Sequence, residues 1–272
     1  SRDRVNRTEP SMPNMKLDAC IWTKNSAETL RQTLRRFEQV VPSEMIGNKI
    51  MVDDHSADDT VTIGKEFGWT IYPNPGRGVA SGANEALTHV QTPHFMSIEH
   101  DILLSKDWWP RIFNHIMDEK VAVSQGARLI TDPTLRALYD NRDDHVIDNN
   151  VYKTEVIRKL GGFPSNCPVC TDTWLRRNVE SAGYRWIIDR SVISDHVRAG
   201  IVQNAVHTYK LHSMCTCGRW PANRMKTKYL VRLALTSPAT GMKIAVQHRV
   251  PKAVFAYPYI RLRILQAWLN GI

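Results

Sequence analysis

Apolar positions along the first half of the chain alternate between short continuous runs and a helical period. Residues 17–23 (Leu-Asp-Ala-Cys-Ile-Trp-Thr) read as a strand; after the polar Lys24-Asn25-Ser26, Leu30, Leu34, Phe37 and Val41 recur at helix spacing, with Ser26 placed to cap. Residues 49–52 predict a second strand that stops at Asp53-Asp54, and Ser56 with Asp59 opens a helix to about Phe67, closed by Gly68. A third strand follows at 69–72, then a Gly76-Arg77-Gly78 loop, a helix over 80–90, and a fourth strand at 94–98 that ends in Glu99-His100-Asp101. Further on come a strand at 121–125, an irregular acidic stretch around 140–148, a helix over 154–160 stopped by Gly161-Gly162, and a helix over 171–182 closed by Gly183. Strands at 186–188 and 192–194 lead to Asp195-His196, after which the chain reads as helical, divided into short pieces by Pro221, Pro238, Pro251 and Pro258.

Strands alternating with helices of about a dozen residues predict βαβ units, hence an α/β fold with a parallel sheet covered on both faces. In such sheets ligands collect at the carboxyl ends of the strands. Three predicted strands end there in polar clusters: Thr23 and Asn25, Asp53 and Asp54, Glu99 and Asp101. In extended chain Glu99 and Asp101 point the same way, and a pair of carboxylates suits Mg²⁺ or Mn²⁺, which can in turn hold a diphosphate. Asp172 stands where a helix begins, and the helix dipole favours its ionised form as a base. His196 could complete a metal site through its imidazole. Taken singly, each has a plainer reading as a solvated acid, a helix cap or a surface histidine.

The 272 residues suffice for one large α/β domain or one with an appendage, and 42% hydrophobic with 23% charged residues exclude a disordered or collagen-like chain. No run of 18 apolar residues exists, and residues 1–15 are polar with no apolar core of a secretory signal, so a flexible arm is expected there. Charge is distributed unevenly. The last acidic residue is Asp195, and the 12 Lys and Arg beyond it leave the first 195 residues slightly acidic. A purely basic tail points to an anionic partner: a membrane surface, a phosphorylated lipid or nucleic acid. Of the five cysteines, Cys20 lies in an apolar run and reads as core, whereas Cys167, Cys170, Cys215 and Cys217 form a CxxC and a CxC that leave zinc, disulfides and plain thiols all open.

The segment Val52-Asp53-Asp54-His55-Ser56-Ala57-Asp58-Asp59-Thr60 resembles the VDDxSxDxT signature of family 2 glycosyltransferases of GT-A fold. Residues 23–30 and 78–87 resemble the segments around it, Ile98-Glu99-His100-Asp101 stands where that family has its DxD, and Gly161-Gly162-Phe163-Pro164 followed by Thr171-Asp172 resembles its GGF segment and base-bearing acid. The likeness is ordered over roughly residues 16–200. It implies a GT-A catalytic domain there and a basic helical extension over 201–272. It further implies that Asp54 accepts a hydrogen bond from the nucleobase of a UDP- or GDP-linked sugar, with Trp22, Thr23 and Asn25 lining the pocket and Arg77 and Asn84 beside the ribose and diphosphate. Asp101 would hold Mn²⁺ or Mg²⁺, with Glu99 and His100 near the donor and His196 a further ligand. Asp172 would deprotonate the acceptor hydroxyl in an inverting transfer.

The first acid of the DxD is here a Glu, and the QxxRW of processive, cellulose synthase-like members survives only as Arg219-Trp220, placed to touch diphosphate and stack on a sugar. The tail intersperses Val254, Phe255, Ile260, Leu265 and Trp268 with Lys252, Arg261 and Arg263, a pattern of helices lying in a membrane interface. That pattern suits a polyprenyl-phosphate-linked or other glycan acceptor, as in members resembling dolichyl-phosphate mannose synthase. The expected location is cytoplasmic, peripheral to the inner face of the cell membrane. A nucleotidyltransferase would need a Gly-rich basic loop after the first strand, which Lys24-Asn25-Ser26 is not. A nucleic-acid-binding protein leaves the strand-end acids unexplained, so no nucleic acid is expected. A catalytically weak sugar-nucleotide binder is the remaining alternative.

Overall fold

The computed structural model describes residues 15–138, 145–198, 200–217 and 226–271. The chain runs β1 (Leu17–Thr23), α1 (Ala27–Val40), β2 (Ile46–Asp53), α2 (Thr60–Glu66), β3 (Thr70–Pro73), α3 (Gly78–His89), β4 (His94–Ile98), β5 (Ile102–Leu103), α4 (Trp108–Ile116), β6 (Val121–Ile130) and α5 (Pro133–Leu138). It continues with β7 (Asn149–Lys153), α6 (Thr154–Lys159), α7 (Thr171–Ser181), β8 (Arg185–His196), α8 (Ile201–Ser213), α9 (Thr227–His248) and α10 (Ala253–Leu269). All but the last residue of the arm expected over 1–15 lies outside the described residues.

The strands form one eight-stranded sheet in the order β3-β2-β1-β4-β7-β6-β8-β5. Strands β3, β2, β1 and β4 are parallel, and the chain moves outward from β1 to β3 before crossing back to β4 on the other side of β1. That reversal parts the loops after β1 and β4 and opens a crevice between them. The sheet is mixed rather than wholly parallel, because β7 runs antiparallel between β4 and β6. The pattern hid β7 behind two asparagines. Asn149 takes the Trp108 Nε1–H and donates to Asp148, and Asn150 donates to the Val146 carbonyl, so both are buried without loss.

Both faces are covered. On one, Leu30, Leu34 and Phe37 of α1, Ile63 of α2 and Trp108, Ile112 and Phe113 of α4 pack on Leu17, Ala19 and Ile21 of β1. On the other, Ala83 and Leu87 of α3, Ile157 of α6 and Leu175 and Val179 of α7 pack on Cys20, Trp22, Phe95 and Tyr152. Helix α4 was not expected from the pattern, although Trp108, Trp109, Ile112, Phe113 and Ile116 keep a helical period. Ser26 does occupy the residue before α1, but its hydroxyl donates to the Lys24 carbonyl, and the Asp58 carboxylate takes the Ala27 N–H instead.

Two expectations for the second half are corrected. The strands at 186–188 and 192–194 are one strand, β8, which shifts register against β6 between Gly126 and Ala127. Pro238 and Pro258 lie inside α9 and α10 without ending them. The Ser237 hydroxyl donates to Ala234 O at 2.5 Å, satisfying the carbonyl whose amide partner Pro238 lacks. Near Pro258, Gly241 has no Cβ, which lets α9 come close to Ala253 and Val254 of α10. Helices α8, α9 and α10 bury Ala205, Leu230, Ile260 and Ile264 together against Ile130 and Leu135. Arg261, expected at an exposed interface, is instead buried, donating to the hydroxyls of Tyr209 and Tyr257 at 2.7 and 2.8 Å. No helix among the described residues is long and apolar enough to cross a membrane.

The Gly161-Gly162 stop is locked to α3: Asn84 donates from Nδ2 to Phe163 O at 2.8 Å and accepts the Phe163 N–H at 2.7 Å. Gly162 has φ +80°, and a Cβ there would strike Asn84 Oδ1. Gly183 has φ +82° with open space around it. Gly183→Ala is therefore expected to cost only the left-handed backbone penalty of about 1–2 kcal/mol, and Gly162→Ala a further 1–3 kcal/mol or so for the clash; urea midpoints of the two variants measure the difference.

Candidate active site

The loops after β1 and β2 shape one wall of the crevice. Asp53 accepts from the Ser56 N–H at 2.9 Å, the Ser56 hydroxyl at 2.6 Å and the Thr23 hydroxyl at 3.3 Å, drawing the second loop into a tight turn in which His55 has φ 57°. Asn25, at φ 47°, locks the two loops together, its N–H on Ser56 Oγ and its Oδ1 on the Ala57 N–H, both at 2.8 Å. With Asp53 spent on this turn, Asp54 is the acid that meets the crevice. Its Oδ2 accepts from the Gly78 N–H at 3.1 Å, at the start of α3, and from Lys24 at 3.4 Å, while His55 lies 3.4 Å from Oδ1. Burial alone would raise the pKa of Asp54, but these donors together hold it below the ordinary carboxylate value, so it stays ionised. Arg77 stands exposed on the residue before α3.

The opposite wall is built by β4, β7, β6 and β8. Strands β4, β6 and β8 run in one direction and β7 starts where they end, so all four deliver residues to the same sheet edge. Asp101 Oδ2 lies 3.1 Å from His196 Nε2 and 3.6 Å from Arg198. Its other oxygen, Oδ1, is buried with no hydrogen-bond partner among the described residues. Glu99, Asp101 and His196 each offer a donor atom within 4.8 Å of the others. Behind them Arg128 pairs with the buried Asp148 and lies 3.4 Å from His196 Nδ1. His100 turns away to α1, its Nδ1 2.9 Å from Thr29 Oγ1.

The electrostatics of this wall centre on Arg128. Burial works against its charge, but Asp148, Glu99, Asp101 and Asp172 together raise its pKa. Asp172, in the first turn of α7, is thus within electrostatic reach of the same guanidinium; its Oδ1 takes the Thr173 N–H at 2.6 Å. Burial, then Asp148 and Asp101, push Glu99 up to about 8. Asp101 goes the other way: burial opposes its ionisation, but His196, His100 and Arg198 hold it far below the usual range. One ionised carboxylate with a bare buried oxygen, an imidazole and a second carboxyl form a donor set that fits a divalent cation.

Two expected donor-site residues are placed differently from the pocket. Trp22 packs edge-on to Phe163 with ring centroids 5.7 Å apart, and both ends of the Asn84 amide are taken by Phe163. Arg219 and Trp220 lie outside the described residues. Sequence reasoning missed Arg128, Asp148 and Arg198; an arginine flanked by Ala127, Leu129 and Ile130 was the available signal for the first. Arg128→Met is expected to destabilise the chain by about 3–5 kcal/mol at neutral pH, because it strands a buried carboxylate cluster. Without the guanidinium those carboxyls bind protons at higher pH in the folded state than in the unfolded, so the deficit against wild type shrinks as pH falls toward 5. Urea unfolding of both proteins across that range measures it.

The model of the family described as glycosyl transferase family 2 matches residues 18–182. No curated protein matches the chain. Among solved structures, the chain is similar to the mannosyltransferase PcManGT from Pyrobaculum calidifontis in complex with GDP-Man and Mn²⁺, with TM-score 0.58 and 17% identity over 95% of this chain and 88% of that one. It is also similar to S. aureus TarS 1–349 in complex with UDP-GlcNAc, with TM-score 0.56 and 12% identity over 93% and 89% of the chains. Glucosyl-3-phosphoglycerate synthase from Mycobacterium tuberculosis, in complex with Mn²⁺, UDP and glucosyl-3-phosphoglycerate, gives TM-score 0.54 and 13% identity over 74% and 80%. With the family model spanning β1 through α7, more than half of the chain, the chain belongs to glycosyl transferase family 2 and is a glycosyltransferase of GT-A fold.

Proposed function

We propose that this glycosyltransferase moves a sugar, with inversion, from a UDP- or GDP-linked donor to a hydroxyl or phosphate acceptor presented at an anionic membrane surface, using Mn²⁺ or Mg²⁺. The observation that carries the donor reading is the buried, unpartnered Asp101 Oδ1 beside His196, on the same sheet edge as the ionised Asp54. Asp54 is a hydrogen-bond acceptor prepared in advance, and uracil and guanine both present ring N–H groups to such a carboxylate. Thr23 and Asn25 hold the loops that form the rim of that pocket. Arg77 and the free amides at the start of α3 face the space where a diphosphate would lie. Asp101 and His196 would hold the cation, with Glu99 bordering it. When bound, the cation neutralises the charge that grows on the departing diphosphate.

Asp172 is the general base in this reading. It sits in the first turn of α7, where the helix dipole favours a negative group, and it is within electrostatic reach of Arg128 in the acidic wall. An acceptor hydroxyl placed against Asp172 would lose its proton as it attacks the far face of the anomeric carbon, which inverts configuration. Arg128 steadies the negative charge of this wall without standing in for the cation.

The C-terminal helices support the membrane part. Val231, Leu235, Met242 and Val246 fall on one face of α9, and Phe255, Tyr259, Leu262 and Leu269 on one face of α10; all are exposed, Phe255 by 80% and Leu235 by 77%. Exposed Arg232, Lys243, Arg249 and Arg263 accompany them, and no acid does. Apolar stripes flanked only by cations are suited to an interface of anionic lipid.

The transferase reading is tested by donor binding and turnover in two variants. Wild type is expected to show a rise in melting temperature with UDP or GDP that needs Mn²⁺ or Mg²⁺ and vanishes in EDTA. Asp101→Asn should abolish that shift, whereas Asp172→Asn should keep it and lower transfer by about 10²–10⁴-fold. Equal loss of both properties in Asp172→Asn removes it from the base role. The membrane reading is tested separately: Phe255→Ser with Leu262→Ser alters only exposed side chains, and should weaken sedimentation with anionic liposomes several-fold at an unchanged melting temperature.

A further inference from the structure

The four cysteines of the CxxC and CxC, 45 residues or more apart in the chain, meet in space. Cys215 Sγ lies 3.8 Å from Cys167 Sγ, 3.7 Å from Cys170 Sγ and 3.5 Å from Cys217 Sγ, and all four sulfurs fall within 4.8 Å of one another. None is in a disulfide. Disulfide pairing would single out one partner for each sulfur at about 2.05 Å; here Cys215 has three near-equal neighbours. Four thiolates around one Zn²⁺ at about 2.3 Å stand at the corners of a tetrahedron with edges of about 3.8 Å, close to the three distances from Cys215.

The surroundings are those of a metal-bound thiolate. Cys167 accepts the backbone N–H groups of Val169 and Thr216. The Cys170 N–H closes a tight turn onto Cys167 O at 3.3 Å, and Cys170 is itself the residue before α7. Cys167 and Cys170 are buried and Cys215 and Cys217 half-buried, so water has little access. An iron–sulfur cluster places two or four irons between its thiolates and spreads them beyond a common single-ion sphere. Soft tetrahedral sulfur also disfavours the Mg²⁺ or Mn²⁺ suited to the carboxylate site.

We infer that Cys167, Cys170, Cys215 and Cys217 bind one structural Zn²⁺ that staples the start of α7 to the chain beyond α8. Asp172 is two residues from Cys170, so the staple fixes the helix turn that carries the proposed base; that consequence rests on the transferase reading, whereas zinc binding does not. A closed four-sulfur site leaves no position for substrate, so the ion acts on position and stability alone.

Elemental analysis of the full chain, purified reduced and without chelator, is expected to find about one zinc per chain. Cys215→Ser and Cys217→Ser should each reduce it to background, and Asp101→Asn should leave it unchanged. Should those cysteine variants fail to fold, the wild-type protein still decides: titration with an organomercurial should release one zinc as four thiols react, and cobalt in place of zinc should give the visible bands of a tetrahedral tetrathiolate. A metal-free chain whose thiols react at once, iron in place of zinc, or a mass four hydrogens low from two disulfides would each overturn the site. Amides of residues 171–175 should exchange hydrogen faster once zinc is released; unchanged exchange overturns the staple.

Discussion

A single buried guanidinium holds the acidic wall of the crevice together. Arg128 enters from the end of β6 and faces Asp148, Glu99, Asp101 and Asp172, which come from β7's leading edge, the loop after β4 and the first turn of α7. Without a counter-ion, so many carboxyls at one sheet edge would either take up protons or push the strands apart. With it, Asp148 and Glu99 face a fixed positive charge; His196, His100 and Arg198 hold Asp101 ionised, and burial with Asp148 and Asp101 still pushes Glu99 toward its neutral form.

That arrangement depends on the antiparallel strand. Were the sheet parallel throughout, the segment before β7 would begin at the far edge and Asp148 would stand a strand's length from Arg128. Placing β7 between β4 and β6 brings its start to the ends of its neighbours. The shift in register near Gly126 then carries β8 three residues further, so His196 pairs with Ile130 and faces Asp101. The two walls differ in construction. The wall carrying Asp54 is a pair of loops locked to each other, Asp53 bonding within its own turn and Asn25 reaching Ser56 and Ala57 in the adjoining loop. The wall carrying Asp101 is made of contacts between strand ends, among residues 20 to 95 positions apart.

This difference explains what could be read ahead of the fold. The β1–α1–β2–α2–β3–α3–β4 series was legible, because each element carries its own apolar period and its own stop. The strand-end acids Asp54 and Asp101 were legible for the same reason. Asp172 was legible only as a helix-start acid, and Arg128 and Asp148 not at all, since a charged residue in a strand declares its partner only when that strand has been paired. The tail was misread at Pro238 because the neighbouring Ser237 hydroxyl takes up the carbonyl that the proline leaves without an amide partner, and at Pro258 because α10 continues through it. Arg261 was misread because two tyrosines from α8 and α10 enclose it.

The amino-acid sequence by itself determined the alternation of strand and helix, the polar clusters that end three of the strands, the basic acid-free tail, and the presence of two cysteine pairs. These are properties of spacing and residue type within one or two turns of chain, where backbone geometry leaves little choice. Tertiary structure alone decided which strand lies antiparallel, which arginine neutralises the acids, and whether four distant sulfurs meet. Each of those is a matter of register between segments far apart in the chain, and register is chosen by the packing of the whole sheet rather than by any segment within it.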